Sequence, residues 1–309
     1  MVEGMTNGPQ PRRHHYVPRC WLSGFSQGGT NSGRLWVTDF ARQKQWPSSP
    51  DNSGHIRDLY RLSEPTLDPV AVEKFFGDLE TEKAPLLKKL DAERRGPDDS
   101  ELDSVLEFMA YQVVRVPSFR KIVLDITERS TSQVLAKFLH CPDTWTAALE
   151  ERNIDPTVPA ASYEEAMQIF ESGDWNVAKR TDWFILWALR EVSHIHGRLR
   201  ERYWHTSISP KGRLIASDTP VVLDGERDQL IGFRNAELIF YPVSRHVLIV
   251  GSKAPLKEPQ QNLRFFAGWN TMALLRAEAQ VYSHEPDFVW LDAAGKVRDD
   301  WRAFTKGNL

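Results

Sequence analysis

The stretch Arg12-Arg13-His14-His15-Tyr16-Val17-Pro18-Arg19 sets how the chain begins to fold and carries its densest chemistry. Two imidazoles, one phenol and three guanidinium groups fall within eight residues. Pro18 gives the stretch its shape. The residue before a proline is driven out of the α region, so Val17 is expected to be extended. Proline itself suits the first position of a helix. Trp21, Leu22 and Phe25 then have the spacing of one face of a short helix, ended near Gly24 or Gly28. The sequence predicts an extended arm that bears the histidines and enters a helix N-terminus, a place that favours anions.

Downstream, Leu35-Trp36-Val37-Thr38 and a segment around Gln45-Trp46 read as a small hairpin, and Ile56 to Leu62 as a short strand. Val72, Phe75, Phe76, Leu79, Leu86, Leu87 and Leu90 keep a helical period, with Pro85 expected to kink or split the helix. Ser100 is placed to cap the next helix, whose apolar stripe is Leu102, Val105, Leu106, Met109 and Val113. Pro117 interrupts it, and Phe119 to Ile126 resume the pattern. A short helix over Tyr163 to Phe170 precedes a long one from Thr181 or Asp182 to about Trp204. Strands are expected at Arg213–Ala216, Pro220–Leu223, Leu238–Tyr241, Val247–Val250, Ala279–Tyr282 and Phe288–Leu291, with a helix starting at Asn262 or Asn270. The fold class is therefore α+β: a helical middle region packed with a β-rich C-terminal third and a small N-terminal hairpin. Residues 1–11 are expected to be a flexible tail. Residues 12–309 are expected to form a single domain, helical over about 70–206 and β-rich over about 207–309.

Composition bounds the function. Lys plus Arg number 39 against 42 for Asp plus Glu, a net charge of -3. No global basic field exists to hold nucleic acid, so any such binding must use a local patch. The two cysteines, Cys20 and Cys141, have neither metal-type spacing nor a disulfide framework. The strongest apolar run, Trp183 to Leu189, is far too short to span a membrane. The first fifteen residues lack an apolar signal core, so a cytoplasmic location is expected.

Several motifs fall in a recognisable order. His14-His15-Tyr16-Val17-Pro18-Arg19 is followed by Leu35-Trp36-Val37-Thr38-Asp39, by Leu79-Glu80 before Ala84-Pro85-Leu86, and by Arg115-Val116-Pro117. Ser217-Asp218-Thr219-Pro220 and Tyr241-Pro242-Val243-Ser244 complete the set. In this order they resemble the bacterial family of unknown function marked by an HYVP motif, domain of unknown function 4238. The resemblance covers most of the chain and implies kinship; it carries no established activity. The His-His-x-x-Pro-Arg run is also similar to the opening of HNH-type nucleases. The chain departs from that pattern downstream, because Asn31, Asn52 and His55 do not give a compact ββα metal motif.

Each candidate residue has a bland alternative. His14 and His15 point to opposite sides of an extended arm, so one can face a site as acid or base while the other packs. Arg115, just before the break at Pro117, can clamp phosphate or carboxylate; its alternative is a buried ion pair with a helix acid such as Glu80. Gln112 lies one turn earlier and can share either role. Asp218, at a strand end, suits a metal or a general base; its alternative is a turn before proline. Glu191 and His194 have the i, i+3 spacing of a metal helix, yet a single copy reads as a solvated charged face.

Two functions follow. The first is a nuclease-like phosphodiester hydrolase of bacterial defence or mobile elements, with nucleic acid as partner. In it His14, His15 and Asp218 are catalytic, Tyr16, Arg19, Gln112 and Arg115 hold the ligand, and Glu80 with Asp218 hold a divalent metal. The second is a non-catalytic module that binds a small anionic ligand or a protein partner through the same residues. Convergence of these residues in one solvent-reached cleft is what the first requires.

Overall fold

The computed structural model describes residues 12–151, 161–173, 181–225, 231–257 and 261–305. The tail expected over residues 1–11 lies outside the described residues. The chain divides into two compact units. One holds the residues up to Ser118 and those from Thr181 onward; the other is Phe119–Arg180.

In chain order the elements begin with β1 (Arg13–His15), α1 (Arg19–Leu22), β2 (Leu35–Asp39), β3 (Lys44–Ser48) and β4 (His55–Arg57). Among the described residues, the helices after α1 are α2 (Ala71–Glu93), α3 (Asp99–Arg115), α4 (Pro117–Phe138), α5 (Pro142–Glu151), α6 (Tyr163–Ser172) and α7 (Thr181–Arg200), with α8 (Leu263–Arg276) near the end. The later strands are β5 (Tyr203–Ile208), β6 (Ala216–Ser217), β7 (Val222–Asp224), β8 (Leu238–Pro242), β9 (Val247–Ser252), β10 (Gln280–Ser283), β11 (Trp290–Leu291) and β12 (Val297–Arg298). The class is α+β with antiparallel sheets and a small N-terminal hairpin, β2 to β3.

In the first unit, one four-stranded sheet has the order β3-β2-β10-β6 and the other β5-β9-β8-β7. Every residue of β9 is buried, as expected for an apolar strand paired on both edges. The first sheet joins the N-terminal hairpin to the C-terminal region, since β10 pairs with both β2 and β6. Helix α3 opens with a capping box. The Asp98 side chain accepts from Ser100 N and Glu101 N, and Glu101 accepts from Asp98 N. Val105, Phe108 and Met109 of α3 and Phe184, Ala188, Val192, Ile195 and Leu199 of α7 are buried, and the two helices pack together. Helix α3 stops because Pro117 forces Val116 into an extended conformation, ψ 144°.

In the second unit, α6 is held by a second capping box, Ser162 with Glu165, and ends at Gly173 in the left-handed region. Tyr163 donates its hydroxyl hydrogen to Leu139 O at 3.2 Å, tying the start of α6 to the chain after α4.

Five expectations are corrected. The strand at Ile56 to Leu62 shrinks to β4, because Asp58 takes a positive φ of 55° and turns the chain. Pro85 does not break α2. It lies on the exposed face, where the carbonyl of Thr81 that it leaves unpaired can be hydrated, while buried Leu79, Leu87 and Leu90 hold the helix together. The cap of α3 is Asp98 rather than Ser100. Helix α7 ends at Arg200, and Tyr203 to Ile208 pairs with β9 as a strand instead. Finally, the strand expected over Arg213 to Ala216 is confined to Ala216–Ser217. Leu214 N and Ile215 N are taken up by Arg245 O and the Asn270 side chain.

Candidate functional site

The histidine arm forms a ribbon in which His14 pairs with Ile56 and His15 with His55. It is fastened at Gly54, whose carbonyl accepts from Tyr16 N at 2.9 Å and Val17 N at 3.1 Å. Gly54 has φ 62°, and a Cβ there would lie 2.7 Å from Val17 Cβ, so both conformation and space demand glycine. His14 is fully buried. Its Nδ1 accepts from Tyr60 N at 2.8 Å, and its ring stacks on Tyr60 with centroids 5.8 Å apart. His15 Nε2 lies 3.3 Å from Asp51 O. Burial, helped by the nearby Arg19 charge, pushes the His15 imidazole down to about 4.

Arg115 is the centre around which the arm closes. Its Nη2 donates to His15 O and to Glu80 Oε1, the latter at 3.1 Å. The other Glu80 oxygen accepts from Arg19 N at 3.0 Å, at the first turn of α1. Tyr60 donates its hydroxyl to Arg115 O, and the guanidinium lies 4.3 Å from the Phe76 ring centroid. The side chain of Arg115 is 1% exposed and that of Glu80 11%, so this is a buried ion pair. Among the described residues, four buried polar atoms here have no hydrogen-bond partner: Arg115 Nε and Nη1, Glu73 Oε2 and Gln112 Oε1. Burial, with Arg115 opposing it and Glu80 adding to it, raises the Glu73 carboxyl to about 7.

Asp218 lies elsewhere in the first unit. Its Oδ1 accepts from Glu278 N at 2.7 Å, and its Oδ2 accepts from Ala279 N at 2.7 Å and Gln280 N at 2.8 Å. The residue therefore anchors the start of β10. Burial raises its carboxyl even though those three donors oppose the shift. Tyr16 links the two places. Burial, and next the Asp218 charge, push its phenol up to about 12, and it shares a hydrogen bond with Tyr282. Gln112 donates to the hydroxyl of Tyr241 at 2.6 Å, behind the stack of Trp21 on Tyr241.

The structure thus brings together His15, Arg19, Glu80 and Arg115 in one bonded network, with His14 beside it on Tyr60. Tyr16 neighbours Asp218, and Gln112 faces Tyr241. All of these except Arg19 and Tyr16 are buried. Glu80 and Asp218 do not meet: each has its own donors. Among the described residues, no group of three or more His, Cys, Asp or Glu side chains is arranged to hold a metal.

A cavity of about 510 Å³ opens in a different part of the first unit. Arg94, Lys211, Arg213, Arg245, His246 and His284 line it, with Glu285 and Asp287 also on its wall. Leu214, Ile215, Phe288 and Val289, all largely buried, complete its lining. Among the described residues none of the four Lys and Arg side chains forms an ion pair with a carboxylate. Gly212, φ 60°, makes the sharp turn between Lys211 and Arg213, and a Cβ there would lie 2.8 Å from His246 Cε1. Arg245 Nε donates to His246 Nε2 at 3.1 Å, so that nitrogen is the acceptor. The imidazole hydrogen then sits on Nδ1 and is donated to Ser209 O at 3.0 Å. Burial lowers the pKa of His246 and of His284, which is consistent with neutral rings.

Sequence reasoning missed the cavity and also Tyr60, Glu73 and Phe76. Glu73 and Glu80 stand two turns apart on the α2 face that buries Val72, Phe76 and Leu79, and that acidic pair on an apolar face was a usable signal. For the cavity the signal was Arg245-His246 directly after Tyr241-Pro242-Val243-Ser244. Compared with known families, residues 13–287 match the one described as Protein of unknown function (DUF4238), and the chain belongs to that family. No curated protein and no solved structure gave a match.

Proposed function

We propose that the chain is a binding module for a small anionic ligand, taken in the cavity lined by Arg94, Lys211, Arg213 and Arg245. One observation carries this reading: four cations against two carboxylates line one cavity, and among the described residues none of the four is ion-paired with a carboxylate. Cations without a carboxylate partner on a cavity wall favour a ligand that brings negative charge. The arm that holds His14 and His15 takes the other part, as an anchor. Its imidazoles and Arg115 are engaged with backbone groups and with Glu80. The test is isothermal titration with pyrophosphate. Wild type is expected to bind saturably, and Lys211→Gln/Arg213→Gln to lose that binding with an unchanged melting temperature. Both residues are exposed, so the substitutions leave the core intact. Absence of saturable heat with wild type overturns the reading.

A second reading, hydrolysis of a phosphodiester, draws on His284. Its Nε2 stands 3.4 Å from Glu285 Oε1, and the imidazole lines the same cavity. A carboxylate that orients an imidazole is half of a general-base pair. Under this reading wild type cleaves bis(p-nitrophenyl) phosphate, with or without added Mg2+ or Mn2+, and His284→Ala does not. Equal background rates for both proteins and buffer dismiss it.

A further inference from the structure

The cavity distinguishes among anions, and resting on the binding reading above, we infer that its ligand is a phosphate ester of nucleotide size: a ring-bearing body, a hydroxylated linker and at least two negative charges. Three observations lead there. The first is size. About 510 Å³ falls within the range of sites for whole small molecules, roughly 300–1,000 Å³, and is far more than a bare phosphate fills. The second is the division of the wall. Lys211 and Arg213 flank the Gly212 turn, while Arg245 comes from the loop before β9 and Arg94 from the end of α2. Cations from three separate segments suit a group with several charged oxygens better than a single carboxylate, because each can take a different oxygen. Leu214, Ile215, Phe288 and Val289 are part of the lining, and an organic body can use apolar lining groups that inorganic polyphosphate cannot.

The third observation is the pair Glu285 and Asp287. Both are exposed on the cavity wall. Carboxylates there repel a run of phosphates and accept hydrogen bonds from hydroxyl or amino groups. They argue against a nucleic-acid backbone, as does the net charge of -3. A ribose-like diol or an exocyclic amine satisfies them.

The experiment is a titration panel on wild type: adenosine, pyrophosphate, AMP, ADP, GDP and UDP, and a twelve-nucleotide single strand. At least one nucleoside diphosphate is expected to bind roughly tenfold more tightly than both pyrophosphate and adenosine, a difference that reports the body and the charge acting together. Glu285→Gln/Asp287→Asn is expected to shrink that preference while pyrophosphate affinity stays level or rises. If pyrophosphate binds as tightly as every diphosphate, the ligand class is overturned and anion binding stands. If nothing in the panel binds, both readings fall. If the single strand binds more tightly than any mononucleotide, the class is overturned in favour of nucleic acid.

Discussion

Arg115 shows how one side chain can hold a fold from within. Its guanidinium ties the arm through His15 O and α2 through Glu80, while its main-chain carbonyl accepts from the Tyr60 hydroxyl. Removing one partner of a buried pair leaves the other charge uncompensated, which costs about 3–5 kcal/mol. Arg115→Ala is therefore expected to lower the denaturation midpoint far more than any single cavity-rim substitution, measured by urea unfolding. A midpoint within error of wild type would remove Arg115 from the centre of the account. Glu73 gives a pH test whose sign can be worked out. Its folded value of about 7 lies above the ordinary 4.5, so between those values the folded state keeps a proton that the unfolded state has lost. Stability from this group is present below pH 4.5 and falls as pH rises to about 7. His15 acts oppositely: with about 4 folded against 6.5 ordinarily, it adds stability as pH rises over that window. Glu73→Gln should gain on wild type in melting temperature as pH rises from about 4.5 to 7 and run parallel below. A difference that stays constant across pH 4 to 8 would mean Glu73 is not protonated in the fold.

At the scale of elements, α1 is only four residues long and cannot stand by itself. Packing keeps it in place. Trp21 is fully buried, stacks on Tyr241, and donates its indole hydrogen to Pro242 O at 2.7 Å. Trp21→Ala is expected to cost about 3–5 kcal/mol, read from chemical denaturation, because it removes a large buried ring and orphans a carbonyl of β8. Local patterns made such elements legible. Pro18 marked α1, Asn262 was one of the two starts read for α8 and does cap it, and the β-prone run Leu35 to Thr38 marked the hairpin. The Arg115–Glu80 pair was also foreseen as an alternative, since a lone arginine before a helix break needs an acid on a neighbouring helix. Asp218 was not legible in the same way. Its partners are the N–H groups of residues 278 to 280, sixty residues downstream, and no local spacing encodes such a bond. Pro85 misled because its consequence depends on which face of α2 it occupies, a property set by the packing of the whole helix.

At the scale of the molecule, buried anchors and an open, cation-lined cavity occupy different places in the first unit. The densest chemical motif of the sequence builds the first, and scattered residues build the second. Arg94, Lys211, Arg213, Arg245, His246 and His284 come from four segments, so only the folded chain assembles them. The central claim is that the HYVP arm is architecture and the cavity is the site. Hydrogen exchange read by mass spectrometry, with and without saturating ADP or pyrophosphate, tests it most directly. Slowed exchange is expected in residues 209–215, 244–246 and 283–289, with 12–19 and 112–118 unchanged. Slowed exchange confined to 12–19 and 112–118, with the cavity segments unaffected, would contradict it.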